Sequence, residues 1–110
     1  MESNLVKQRI EKLINDNEII LFMKGNKEHP YCGFSARVNS ILSNLGVNYE
    51  TVDVLQDNEI REGVKQYSDW ATIPQLYIKQ EFIGGCDIVS DMFQSGELRA
   101  LLISKGIVQD

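Results

Sequence analysis

The sequence predicts an α/β domain with a four-stranded mixed sheet flanked by helices, in the order αβαβαββα. Three features lead to that class. The run Ile19-Ile20-Leu21-Phe22-Met23 is continuously apolar and short, as expected of a strand buried on both faces. Apolar residues at helical spacing (Val38, Ile41, Leu42, Leu45) follow it, and then a β-branched and aromatic stretch over 47–54. A strand, a helix and a strand in that order make a βαβ unit with a parallel pair. Two further short strands, 75–78 and 81–83, are separated by Lys79-Gln80 alone and therefore pair as an antiparallel hairpin.

The elements can be justified in order. Val6, Ile10, Leu13 and Ile14 recur at helical spacing after Ser3, a serine suited to an N-cap, so the chain opens with an amphipathic helix ending near Asn15 to Asn17. The helix beginning after Cys32 is closed by Gly46 at its C′ position, where a left-handed residue is needed. Residues 57–67 form a short polar helix. The Lys79-Gln80 turn lacks the glycine or asparagine that tight hairpins favour, which leaves its geometry open. Ile88, Met92 and Phe93, then Leu98, Leu101 and Leu102, complete the chain as one or two helices broken at Ser95 or Gly96.

Composition bounds the function. The 110 residues, 43% hydrophobic and 25% charged, suit one globular domain over 1–110, with no repeat and no linker-like segment. Sixteen acidic against eleven basic residues leave a net charge of -5 without a basic cluster, which argues against nucleic acid as a partner. The longest apolar run is far too short for a membrane span, and the first residues lack the layout of a secretory signal. Two cysteines in a chain with an adequate core are expected as free thiols rather than a staple, and a reducing cytoplasmic setting is the expectation.

The chemistry concentrates at Cys32-Gly33-Phe34-Ser35, between the first strand and its helix. A thiol there faces unpaired amides and the positive end of the helix dipole, which favour the thiolate, the nucleophilic and metal-ligating form. Ser35 stands where a Cys-x-x-Cys pair would have its second thiol, so no disulfide closes within the motif. His29 lies in a polar loop and reads as solvated.

Lys24, the Cys32-Gly33-Phe34-Ser35 motif, Trp70-Ala71-Thr72-Ile73-Pro74-Gln75 and Gly84-Gly85-Cys86-Asp87 arrive in the order and spacing of the monothiol glutaredoxins of CGFS type, and the chain resembles that family and its thioredoxin fold over nearly its whole length. The resemblance implies glutathione binding and a [2Fe-2S] cluster held between two protomers. The ligand count agrees: a cluster takes four thiolates, one Cys32 per chain supplies two in a homodimer, and two glutathione thiols complete the set; an alternative arithmetic takes Cys86 from each chain as the remaining pair, whereas the family pattern puts Cys86 beside glutathione.

What the resemblance implies residue by residue is as follows. Lys24 and Arg61 meet the carboxylate of glutathione's glycine. Ile73, before a cis proline, offers its backbone N–H and C=O to glutathione's cysteine. Cys86 and Asp87, opening the next helix, receive the γ-glutamyl end, with Cys86 lining the site; its alternatives are a resolving thiol for oxidised Cys32 or a surface residue. Phe34 is exposed toward a partner. The sequence departs from the family pattern at Ala71 and Ile73, where a proline and an aromatic residue are common, which puts a side-chain contribution there in doubt. Two functions follow from one thiolate. In the first, the cluster is carried and handed to apo iron-sulfur proteins, with a BolA-type protein as a further partner. In the second, Cys32 is the nucleophile of a glutathione-dependent thiol-disulfide oxidoreductase, an activity in which the family with this motif is weak.

Overall fold

A computed structural model describes residues 2–109, with side chains described for 4–109. The elements run α1 (Glu2–Asp16), β1 (Ile19–Met23), α2 (Gly33–Leu45), β2 (Glu50–Asp53), α3 (Asn58–Ser68), β3 (Gln75–Ile78), β4 (Glu81–Gly84), α4 (Cys86–Ser95) and α5 (Glu97–Ser104). One sheet is formed in the order β2-β1-β3-β4. Its β1/β2 pair is parallel, and the β1/β3 and β3/β4 pairs are antiparallel. The predicted class and element order therefore hold, with Gly96 dividing the last helical stretch in two.

The central strand explains the layering. All five residues of β1 are buried, and alternation sends them to opposite faces. Ile19, Leu21 and Met23 join Val38, Ile41 and Leu42 of α2, together with residues of α4 and α5. Ile20 and Phe22 join Val6, Ile10 and Ile14 of α1 and Ile60 and Val64 of α3 on the other face. Gly63 lets those two helices close, because a Cβ there would lie 2.5 Å from Val6 Cγ1. Both faces being covered, the residues free to do chemistry are at the strand ends.

Three boundaries depart from the sequence expectation. α1 begins before Ser3, so Ser3 is inside the helix and not its N-cap. Helical spacing had located the packed face of Val6, Ile10 and Ile14, and it carries no information about a first turn beyond that contact. The second strand is Glu50–Asp53 rather than 47–54, because its ladder is set by the short β1, Ile20 to Met23 facing Glu50 to Asp53; Val47 and Tyr49 pack on the core from a loop. Asp57 is the N-cap of α3, its carboxylate accepting the Ile60 N–H at 3.2 Å, rather than the first helical residue.

The Lys79-Gln80 turn is resolved as two left-handed residues, φ 49° and 71°, the geometry of a tight hairpin made without glycine. Lys79 is tied from the side, its N–H donating to Glu18 O at 2.7 Å and its Nζ lying 2.8 Å from Glu18 Oε2. Among the described residues no helix is long and apolar enough to cross a membrane.

Candidate functional site

The C-terminal end of β1 delivers Lys24, and the loop that follows delivers Cys32. The loop is fixed by backbone bonds rather than by packing. Tyr31 N–H donates to Lys24 O at 3.0 Å, Asn26 N–H to His29 O at 3.2 Å, and the Asn26 side chain accepts from the Glu28 and His29 amides. Gly25 N–H donates to Asp53 Oδ1 at 2.9 Å, which ties the loop to β2. Gly25 itself is at φ 91°, and a Cβ there would lie 2.3 Å from His29 O, so the close return of the loop requires glycine. His29 is exposed, as its solvated reading had it.

Cys32 occupies the N-cap of α2 in extended geometry, φ −141° and ψ 136°, with Ala36 N–H already bonded to its carbonyl at 2.8 Å. Its thiol is held below the ordinary value of 9.0, first by the Ser35 amide, against the opposing effect of burial, and then by the Phe34 amide, the charge of Lys24 and the Ser35 hydroxyl. The sequence suggested that a helix start would favour the thiolate here, and the direction of the shift agrees. Ser35 is fully buried, and its hydroxyl accepts the Lys24 N–H at 3.0 Å. The residue standing in place of a second cysteine thus braces the end of β1 against the thiol's helix.

The facing wall is the 70–74 segment and the start of α4. The Ile73–Pro74 peptide is cis. The Ile73 side chain is buried with the α1/α3 core cluster, so what it presents to the cavity is backbone. The bonds formed outside helices and strands among the described residues include none to Ile73 N–H or C=O. Gly85 allows this wall to close, since a Cβ there would lie 3.3 Å from both Pro74 O and Trp70 Nε1.

Between the walls lies a cavity of about 710 Å³, and all six residues singled out by sequence line it: Lys24, Cys32, Arg61, Ile73, Cys86 and Asp87. Arg61 projects from α3, and its Nε is buried with no hydrogen-bond partner. The guanidinium thus lines the cavity while its Nε, out of reach of solvent, is left without an acceptor from the described residues. Lys24 makes no ion pair among the described residues. Asp87, the second residue of α4, is exposed at the helix's N-terminal turn. Cys86 opens that helix as a free thiol, with Sγ 3.9 Å from Ser90 Oγ.

Sequence reasoning did not single out Lys65, and it gave the side chains of Ser35 and Gln75 no bracing role. Lys65 lines the cavity one turn from Arg61 while 3.3 Å from Glu62, and its four-residue spacing from Arg61 was the available signal. Ser35 and Gln75 are fully buried polar side chains beside the site, and no periodicity announces them. The cavity rim is apolar: Phe34 is 62% exposed, as expected, and Trp70 and Ile88 are exposed beside it.

Residues 19–83 match the glutaredoxin family model. The chain is 52% identical over 96 residues to a Synechocystis sp. protein described as a monothiol glutaredoxin, ycf64-like, covering 87% of this chain and 90% of that one. Its fold superposes on a monomeric truncated mutant of Trypanosoma brucei 1-C-Grx1 with a TM-score of 0.86 and 44% identity, over 94% of this chain and 96% of that one. It also superposes on a buckwheat glutaredoxin in complex with glutathione, with a TM-score of 0.85 and 28% identity, over 97% and 96% of the two chains. With one thiol at the start of α2, a serine where a second thiol would close a disulfide, and these relatives, the chain belongs to the monothiol glutaredoxins of the thioredoxin fold.

Proposed function

We propose that this chain binds glutathione in the 710 Å³ cavity and carries a [2Fe-2S] cluster between two protomers, passing it to apo iron-sulfur proteins. The convergence of two cationic side chains, Lys24 and Arg61, on the cavity that Cys32 lines, with its thiol lowered from the ordinary value, carries the proposal. Glutathione is an extended anionic tripeptide with two carboxylates. In this reading Arg61 and Lys24 hold its glycine carboxylate, the backbone of Ile73 pairs with its cysteine residue, and Asp87 with the first turn of α4 receives the γ-glutamyl end. Held so, its thiol is presented beside Cys32. The glutathione complex of the buckwheat protein, which has the same fold, supports the assignment.

Each chain contributes Cys32 as its cluster ligand, and the tetrathiolate set is completed by two protomers and two glutathiones. The exposed apolar residues Phe34, Trp70 and Ile88, which line the same cavity as Cys32, suit docking of an acceptor protein for ligand exchange. A BolA-type protein is a further partner in this proposal, and a reducing compartment such as the cytoplasm is its setting.

Cys86, free and lining the same cavity, favours a second reading. Here the Cys32 thiolate attacks the glutathione sulfur of a glutathionylated protein, a new S–S bond forms, and the protein thiolate leaves. A second glutathione thiolate then attacks the glutathione sulfur of that mixed disulfide, releasing glutathione disulfide and the Cys32 thiolate; on the alternative route Cys86 attacks the Cys32 sulfur, expelling glutathione and leaving a Cys32–Cys86 disulfide that two further glutathione thiols reduce. The two readings separate in one experiment. Reconstituted protein is mixed with an apo [2Fe-2S] acceptor while visible circular dichroism follows the cluster, and a parallel sample is given a glutathionylated peptide. Cluster arrival on the acceptor with slow peptide turnover supports carriage; rapid turnover without transfer makes the chain an oxidoreductase.

A further inference from the structure

We infer that Gln75, clamped by Tyr77, is a positioning residue that holds the 70–74 wall in its glutathione-binding shape. The inference rests on the glutathione reading above. Gln75 is the first residue of β3 and is fully buried. Burying a carboxamide is unfavourable unless its donors and acceptor are all engaged, and here they are. Nε2 donates to Trp70 O at 3.0 Å and to Thr72 O at 3.3 Å, while Oε1 accepts the Tyr77 hydroxyl at 3.2 Å.

The two carbonyls that Gln75 captures flank Ala71 and lie just before Ile73. Both are thereby directed into the protein, away from the cavity. The intervening residues belong to neither helix nor strand, so sheet bonds do not hold them, and one side chain supplies that order instead. Tyr77 fixes the carboxamide's orientation: with its hydroxyl on Oε1, the two Nε2 hydrogens are left for the loop. Its ring is itself locked edge-on to Phe22, with centroids 5.7 Å apart, and lies against Phe82 at 5.3 Å. Burial pushes the Tyr77 phenol up to about 12, so the donor is protonated throughout the physiological range. None of these atoms belongs to the residues singled out for glutathione itself, so Gln75 acts through Ile73 and Trp70 rather than on the ligand.

The test measures glutathione affinity by calorimetry, nuclear magnetic relaxation of the backbone amides over 70–73, and the Cys32 thiolate absorbance against pH, on the full chain. Gln75→Leu keeps the bulk and removes all three bonds. Affinity is expected to fall about tenfold or more, and the amide order parameters to drop from the rigid range toward about 0.6, with Cys32 titrating as in the wild type. Tyr77→Phe leaves the loop bonds and removes the clamp, and should weaken affinity by a smaller factor, about two- to fivefold. Folded Gln75→Leu with wild-type affinity and loop order would overturn the inference. Should Gln75→Leu not fold, Tyr77→Phe decides, and unchanged loop order together with unchanged affinity would sink it. A wild type that binds no glutathione contradicts the functional reading instead, and the relaxation data then decide the positioning claim alone.

Discussion

The two walls of the cavity are built differently. On the thiol side the order is local: β1 ends, a backbone-bonded loop returns, and α2 begins at Cys32, whose sulfur gains from the amides of its own helix. On the facing side the order is imposed from the next strand, where Gln75 reaches back to carbonyls three and five residues earlier. The two fully buried polar side chains among the described residues, Ser35 and Gln75, are the braces of these two walls. Irregular backbone beside a cavity lacks the ladder bonds of sheet and helix, and a buried side chain supplies them. The thiol wall sets the charge on sulfur; the facing wall sets the shape that a ligand meets.

That division of labour can be broken most severely at Cys32. Cys32→Ser should reduce both the visible cluster absorbance and mixed-disulfide turnover to background, since both need the thiolate. Arg61→Ala comes next. Losing a charge-assisted bond of about 1.5–3 kcal/mol should weaken glutathione binding tenfold or more in calorimetry, while the Cys32 titration stays in place.

Ser35→Ala sharpens the comparison from the other wall. It leaves the buried Lys24 N–H unpaired, which costs about 1–3 kcal/mol of stability in denaturant unfolding, and it shifts the Cys32 titration upward by removing the hydroxyl that helps the thiolate. The sign of the pH dependence follows. The folded thiol titrates below its ordinary value, so its contribution to stability is present above that value and is lost as pH falls through the lowered one. Thiolate absorbance and reactivity vanish over the same acidic-side window, and in Ser35→Ala that window moves to higher pH. The smallest effect lies at the far end of β3, where Lys79 and Gln80 both have positive φ. Lys79→Asn with Gln80→Gly should relieve that conformation and add about 1 kcal/mol, a rise of several degrees in melting temperature, with glutathione affinity unchanged.

Several features that depend on local chemistry were legible in the sequence, although the caps of α1 and α3 were not. Gly46 ending α2, Gly96 dividing α4 from α5 and Cys32 at a helix start each follow from what one residue does to its own turn. The six site residues came together in one cavity, but for Lys24, Arg61, Ile73 and Asp87 it was the family resemblance that singled them out, because an arginine on a polar helix looks solvated until the tertiary fold closes over its Nε. The bracing roles of Ser35 and Gln75 escaped notice for a related reason: apolar spacing identifies buried carbon and is silent about buried hydrogen bonds. The extent of β2 was misread because strand length depends on the partner's ladder, which its own β-branched residues do not encode.

The most direct test of the central claim is native mass spectrometry of the protein reconstituted anaerobically with iron, sulfide and glutathione, alongside its visible spectrum. The account predicts a dimer with one [2Fe-2S] cluster and two glutathiones, formed only when glutathione is supplied and lost in Cys32→Ser. A cluster-bearing dimer without glutathione, or one that persists in Cys32→Ser, would contradict it, because the first leaves glutathione, and the second leaves Cys32, out of the ligand set.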